Sequence, residues 1–140
     1  MNIGYACINM QLSYPQKYGG QEKGVLPITT GRSMIRRTFD SKGIVYASEK
    51  TLSNCSDLEK IVKWNINNGY KFFRVTSNLA PWKSEYRWDE MPDIEQIRKH
   101  LWSAGTMANT HNLRLTSHPG PFNVLTSPHP HVVENCVKDL

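Results

Sequence analysis

Short strand-like stretches alternate with helix-length amphipathic ones along this chain, and that alternation limits the folds open to it. Ile3 to Asn9 reads as a strand, Phe72 to Thr76 as a second and Leu113 to His118 as a third. Between the first two, Leu52, Cys55, Leu58, Ile61 and Val62 recur at helical steps within Thr51 to Asn68, as an amphipathic helix requires. Gly69 stands where a helix stop belongs. Pro92-Asp93 opens a further helix that carries Ile94, Ile97, Leu101, Ala104 and Ala108 on one face and ends at Asn112. Val133, Cys136, Val137 and Leu140 form a last helical stripe, and Gly31 to Phe39 reads as a short basic helix after the long loop Gln11 to Thr30. The order is βαβαβα. Strands joined by helical crossovers run parallel, so the chain is expected to be parallel α/β with strands in the order one, two, three.

The last stripe stops without a cap or a following strand, so residues 1–140 are expected to form one partial domain, the amino-terminal portion of a larger unit. A closed barrel of alternating strands and helices takes about 250 residues and eight strands, and three βα units are present here. The competing reading is a small complete three-layer domain with a frayed carboxyl terminus.

Charge and composition narrow the partners. Lys plus Arg number 17 against 12 Asp plus Glu, a net charge of +5, which suits a polyanion. Arg32, Arg36, Arg37 and Lys42 share one stretch with a single acid, Asp40. Solvation of that stretch as an ordinary loop face is the plainer reading. No apolar run approaches the length of a membrane span, and Met1-Asn2-Ile3-Gly4-Tyr5 shows no secretory pattern, which leaves an intracellular, unsecreted protein as the expectation. Cys7, Cys55 and Cys136 are widely spaced with no C-x-x-C, and read as reduced, mostly buried thiols.

In parallel α/β folds, chemistry gathers at the carboxyl ends of strands. All three strand ends here are polar. Tyr5 and Asn9 end the first, Arg74, Thr76 and Asn78 lead out of the second, and Arg114, Thr116 and His118 alternate along the third. Asn9, Asn78 and His118 are therefore expected to cluster at one end of the sheet, with Tyr5, Arg74 and Thr116 nearby on the same face. His118, just before the turn pair Pro119-Gly120, is the strongest single candidate, since a strand-end imidazole is a common ligand of divalent metal. A histidine bonded to a nearby carbonyl is the alternative. The His129-Pro130-His131 spacing suits a helix start better than a chelate.

Several segments, in order along the whole chain, resemble the UV damage endonuclease family. These are Gly4-Tyr5-Ala6-Cys7-Ile8-Asn9-Met10, Thr29-Thr30-Gly31-Arg32-Ser33-Met34, Phe73-Arg74-Val75-Thr76-Ser77-Asn78-Leu79-Ala80-Pro81-Trp82, and His118-Pro119-Gly120-Pro121-Phe122-Asn123-Val124-Leu125 with Ser127-Pro128-His129-Pro130 following. The resemblance implies a partial TIM (β/α)8 barrel. It also implies a DNA repair endonuclease that uses divalent metal, typically manganese, to incise damaged double-stranded DNA 5′ to UV photoproducts. It makes His118 a metal ligand and puts Asn78 where some relatives carry a ligand histidine. It places Tyr5 and Asn9 at the lesion and the scissile phosphate, as the catalytic pair. Pro121 and Phe122 match a Gln and an aromatic that wedge into the duplex, and Arg32 and Arg74 complete the DNA-binding set.

Two departures shape the expectation. Pro121 replaces the family's Gln and removes a polar probe, although an apolar wedge still unstacks bases. The family's later His, Glu and Asp ligands fall beyond Leu140, and a hydrolytic metal site needs those carboxylates. The chain is therefore expected to be inactive alone. It is read as a truncated piece, as half of a split enzyme completed by a carboxyl-terminal fragment or by self-association, or as a non-catalytic DNA-binding remnant. A sugar-isomerase-like barrel shares metal and fold but not the basic cluster.

Overall fold

The computed structural model describes residues 3–118, 120 and 123–139; Met1, Asn2, Pro119, Pro121, Phe122 and Leu140 lie outside the described residues. Three strands, β1 (Gly4–Ala6), β2 (Phe72–Arg74) and β3 (Arg114–Thr116), form a parallel sheet in the order β1-β2-β3. Two one-turn helices, α1 (Met10–Ser13) and α2 (Pro15–Tyr18), lie in the long first loop, followed by α3 (Arg36–Asn67), α4 (Ile94–Thr110) and α5 (Pro130–Asp139). The fold is a partial α/β barrel of the expected order.

The strands are shorter than their sequence patterns suggest because the backbone leaves the sheet soon after each. Cys7 adopts φ 62°, and the Ile8 amide donates to the Ala6 carbonyl across it at 2.7 Å. That tight turn ends β1. Gly4 matters for a different reason. A Cβ there would overlap the Phe72 carbonyl and its Cβ, so only glycine lets β1 lie against β2.

The expected basic helix and the helix after it join into α3. Gly43, at φ 63°, breaks the helical geometry between them and leaves a kink, a conformation glycine adopts without steric cost. Downstream of the kink, Ala47, Thr51, Cys55, Leu58, Ile61, Val62 and Asn65 are buried along one stripe. The helix stops where Gly69 takes φ 75°. Helix α4 ends as read: Asn112 takes φ 54°, a left-handed conformation that asparagine tolerates better than most residues.

The core lies on one side of the sheet. Leu58, Ile61 and Val62 of α3 meet Phe73, Val75, Ala104, Ala108 and Leu113. A second cluster under the β2–α4 loop joins Ala47, Cys55, Tyr86, Met91 and Ile97. Burial pushes the Cys55 thiol up to about 12. Cys136 is buried too, but Cys7 is only half-buried. The last stripe is partly corrected: Val137 is 62% exposed, and Leu140 lies outside the described residues.

Candidate functional site

Strand register sorts the polar residues onto two faces. Tyr5, Phe73 and Leu115 stand in one row, and Ala6, Arg74 and Thr116 in the next. Side chains alternate along a strand, and Phe73 is fully buried in the helix-side core. Ala6, Arg74 and Thr116, together with Gly4, Phe72 and Arg114, therefore occupy the opposite face. No helix covers that face among the described residues. Gly4, Ala6 and Arg114 are exposed on it, and Phe72, Arg74 and Thr116 are half-exposed. His118 follows two residues after Thr116, is exposed, and lies with exposed Asn78 beyond the carboxyl ends of β3 and β2. The Asn78 amide donates to Thr76 Oγ1 at 3.3 Å, which shapes that exit.

The expectation that Tyr5 and Asn9 share the Arg74 and Thr116 face is corrected by this register. The Tyr5 ring packs against Phe73 and Tyr70, with centroids 5.1 and 5.2 Å away. Its hydroxyl donates to Asn65 Oδ1 of α3 at 2.6 Å and accepts from Asn9 Nδ2 at 2.7 Å. Asn9 is 2% exposed, and its Oδ1 accepts from the Leu12 amide, which caps α1. Partial burial raises the Tyr5 hydroxyl above its ordinary pKa. Tyr5 and Asn9 stay together, and the difference lies in the register, which sets Tyr5 beside Phe73 and Ala6 beside Arg74. Tyr5 sits on the helix side because its large ring finds apolar partners there and its hydroxyl finds two amides.

Two buried polar residues of α3 hold the loops at the strand ends, and sequence reasoning missed both. Asn54, fully buried, accepts from the Arg32 amide at 3.1 Å and donates to the Arg32 and Leu79 carbonyls at 2.9 and 3.0 Å. One side chain thereby ties the β1–α3 loop to the β2–α4 loop. Asp57 accepts from the Thr29 amide at 3.0 Å, pairs with Arg32 at 2.6 Å and with Lys60 at 2.8 Å. The signal was present: Asn54 and Asp57 flank Cys55 and Leu58 on the buried stripe, and buried polar groups must be bonded.

Arg32 is consequently drawn inward. Its guanidinium also donates to the Thr29 and Pro27 carbonyls at 2.5 and 3.0 Å, so it organises its own loop. An aromatic ledge forms between the start of α3 and the β2–α4 loop. Arg36 lies over Trp82 and Phe39, at 5.4 and 5.9 Å, and pairs with Asp40 and Glu85. Trp82 takes φ 59° and donates from Nε1 to the Met34 carbonyl at 3.0 Å.

A polar groove of about 410 Å³ opens on the helix side, lined by residues that include Arg32, Ser53, Asp57, Lys60, Gln96 and His100. Near it, Glu59 of α3 pairs with His100 of α4 at 2.7 Å and accepts from Ser103 at 2.6 Å. Those two contacts, the Ser103 bond foremost, hold the Glu59 carboxyl below its ordinary range. This cluster joins two helices and is not on the open face.

Among the described residues no group of three His, Cys, Asp or Glu stands close enough to hold an ion. An imidazole at His118 and an amide at Asn78, with no carboxylate on the open face, are too poor a set for a divalent ion. Pro121 and Phe122, expected at the DNA, lie outside the described residues.

The parallel strands and their helices form part of a β/α barrel with one face of the sheet open. The family model for UV-endonuclease UvdE matches residues 1–140, and the chain belongs to that family. It is 32% identical over 138 residues to the UV-damage endonuclease of Schizosaccharomyces pombe, covering 99% of this chain and 21% of that protein. It is 29% identical to the UV DNA damage endonuclease of Clostridium perfringens, covering all of this chain and 30% of the relative. Among solved structures, SacUVDE superposes with a TM-score of 0.73 at 22% identity, over 99% of this chain and 42% of the other. The chain thus spans less than half the length of these relatives.

Proposed function

We propose that this chain supplies the amino-terminal portion of a metal-dependent DNA repair endonuclease, a phosphodiester hydrolase that incises damaged duplex DNA 5′ to UV photoproducts. The observation that carries this reading is the family match along all 140 residues, with Arg74 and Thr116 on the uncovered side of the sheet and exposed His118 two residues beyond β3. His118 is the metal ligand this portion contributes, Asn78 a weak oxygen donor beside it, and manganese the metal. Carboxylates from the strands that complete the barrel finish the site. Residues 1–140 form one partial domain, and its partners are damaged DNA and the completing polypeptide, or a second copy in its place. The protein acts inside the cell where DNA resides. Arg74 faces the phosphate backbone, and Pro121 and Phe122 wedge at the lesion. Arg32, Tyr5 and Asn9 act one step removed, by setting the loop and the strand end that carry the contacting groups.

The reading is tested with the chain alone on photoproduct-bearing and undamaged duplexes at two salt concentrations. Weak, salt-sensitive and lesion-independent binding is expected, since phosphate contacts dominate affinity and Pro121 removes a probe. Absence of any DNA binding contradicts the reading. Strong discrimination for the photoproduct shows that Phe122 and its neighbours read damage without the Gln. A non-catalytic DNA-binding protein is the second reading, favoured by the lack of a group of three metal-ligating side chains among the described residues. It is separated from the first by nicking of irradiated plasmid once the completing strands are supplied.

A further inference from the structure

The polar groove on the helix side plays no part in the proposed nuclease site, yet it gathers hydrogen-bonding groups that the fold leaves free. Its walls are faces of two helices. Ser56 and Lys60 stand one turn apart on α3, and Gln96 and His100 one turn apart on α4. Among the described residues, Ser56 Oγ, the Gln96 side-chain amide and His100 Nε2 make no hydrogen bond. Lys60 directs one N–H to Asp57 at 2.8 Å and keeps two donors. The one carboxylate in the lining, Asp57, is buried and already covered by Arg32, Lys60 and the Thr29 amide. Two cations against one carboxylate leave the lining net positive. The volume, about 410 Å³, falls within the roughly 300–1,000 Å³ of small-molecule sites.

His100 sets the chemistry of the ligand. Glu59, held below the ordinary carboxylate range chiefly by Ser103, is ionised at neutral pH and can only accept. His100 Nδ1–H therefore donates to it at 2.7 Å, which leaves a lone pair on Nε2. The groove thus offers an ammonium, a hydroxyl and an amide as donors, beside one imidazole nitrogen as acceptor. We propose that it binds a small phosphomonoester. The phosphoryl oxygens accept from Lys60, Ser56 and Gln96, and bonds to an ionised acceptor are roughly twice as strong as neutral ones. A phosphomonoester has a second pKa of about 6, so it has a proton to share with Nε2. Either the P–OH donates to the ring, or the proton passes to the ring and Glu59 stabilises the imidazolium. A phosphodiester has no such proton, so a nucleic-acid backbone loses this contact. The groove lies apart from the open face, and its occupancy is read without DNA or nuclease activity.

The test titrates the whole chain, at fixed ionic strength, with glycerol 3-phosphate, sulfate and dimethyl phosphate, followed by NMR. Glycerol 3-phosphate should shift Ser56, Lys60, Gln96 and His100 signals saturably. Sulfate, a dianion without a proton to share, and the diester should each bind about tenfold more weakly or worse. Ser56→Ala with Gln96→Leu removes two ligand contacts and no hydrogen bond of the fold. That variant should melt with the wild type and bind glycerol 3-phosphate about tenfold more weakly or worse. If it melts early, the three anions on the wild-type chain decide alone. The proposal is overturned by the lack of a saturable shift at these four residues, or by a folded variant that keeps wild-type affinity. Sulfate binding as tightly as the monoester removes the shared proton, and the diester binding as tightly makes a nucleic-acid phosphate the ligand. Either result also overturns it.

Discussion

Phe72 and Phe73 are adjacent residues on one strand with opposite fates. Phe73 is fully buried against α3 and α4, and Phe72 faces the uncovered side half-exposed. The side of the sheet that Phe73 faces is self-sufficient: two apolar clusters, an Asn54 tether and a Glu59–His100–Ser103 link between helices. The side that Phe72 faces has small residues, arginines and threonine, with strand-end groups that only reach a useful density if more strands arrive. Stability resides on the first side, and the proposed chemistry is assigned to the second.

Substitutions can break or sharpen that contrast. Phe73→Ala should cost about 3–5 kcal/mol, read by urea unfolding, while Phe72→Ala should cost a small fraction of that. Equal losses would mean the open face is covered in solution. Next in size, Asn54→Ala strands the Arg32 and Leu79 carbonyls and should cost about 1–3 kcal/mol. It should also loosen both loops at once, visible as faster hydrogen exchange in residues 29–32 and 79–82. Faster exchange in one loop alone would show that Asn54 is not their shared tie.

A smaller effect is expected from Glu59. Its folded carboxyl lies below its ordinary value of 4.5, chiefly through Ser103 and then His100. A depressed carboxyl stabilises the fold above the unfolded value, and the gain is lost as pH falls through 4.5 toward the lowered folded value. Glu59→Gln should flatten that acid limb of the melting curve and leave the neutral limb with only the loss of the pair itself. An unchanged acid limb would remove Glu59 from the helix–helix contact. Least of all, Thr116→Ala on the open face should change stability by under about 0.5 kcal/mol in the isolated chain.

Much of this was legible in the residues. The helical stripes, the stops at Gly69 and Asn112, and the parallel order follow from periodicity and local backbone preference. The placement of Tyr5 and Asn9 was not, because a single strand's pattern does not show its register: Tyr5 stands beside Phe73 rather than Arg74, and Asn65, sixty residues on, supplies the acceptor for the tyrosine. The inward commitment of Arg32 was hidden for the same reason. A cluster of basic residues looks like a surface until Asp57, distant in sequence, is known to face it. The continuity of α3 also escaped, since Gly43 interrupts the pattern while the helix resumes beyond it.

Under the proposed function, the open face contributes to a UV-damage endonuclease site that further strands complete. Nicking of UV-irradiated plasmid with Mn²⁺ tests it most directly, with the purified chain assayed alone and after assembly with the completing polypeptide. The account predicts no nicking by the chain alone, and nicking by the assembly that His118→Ala abolishes. Nicking by the chain alone, lost on His118→Ala, would contradict it.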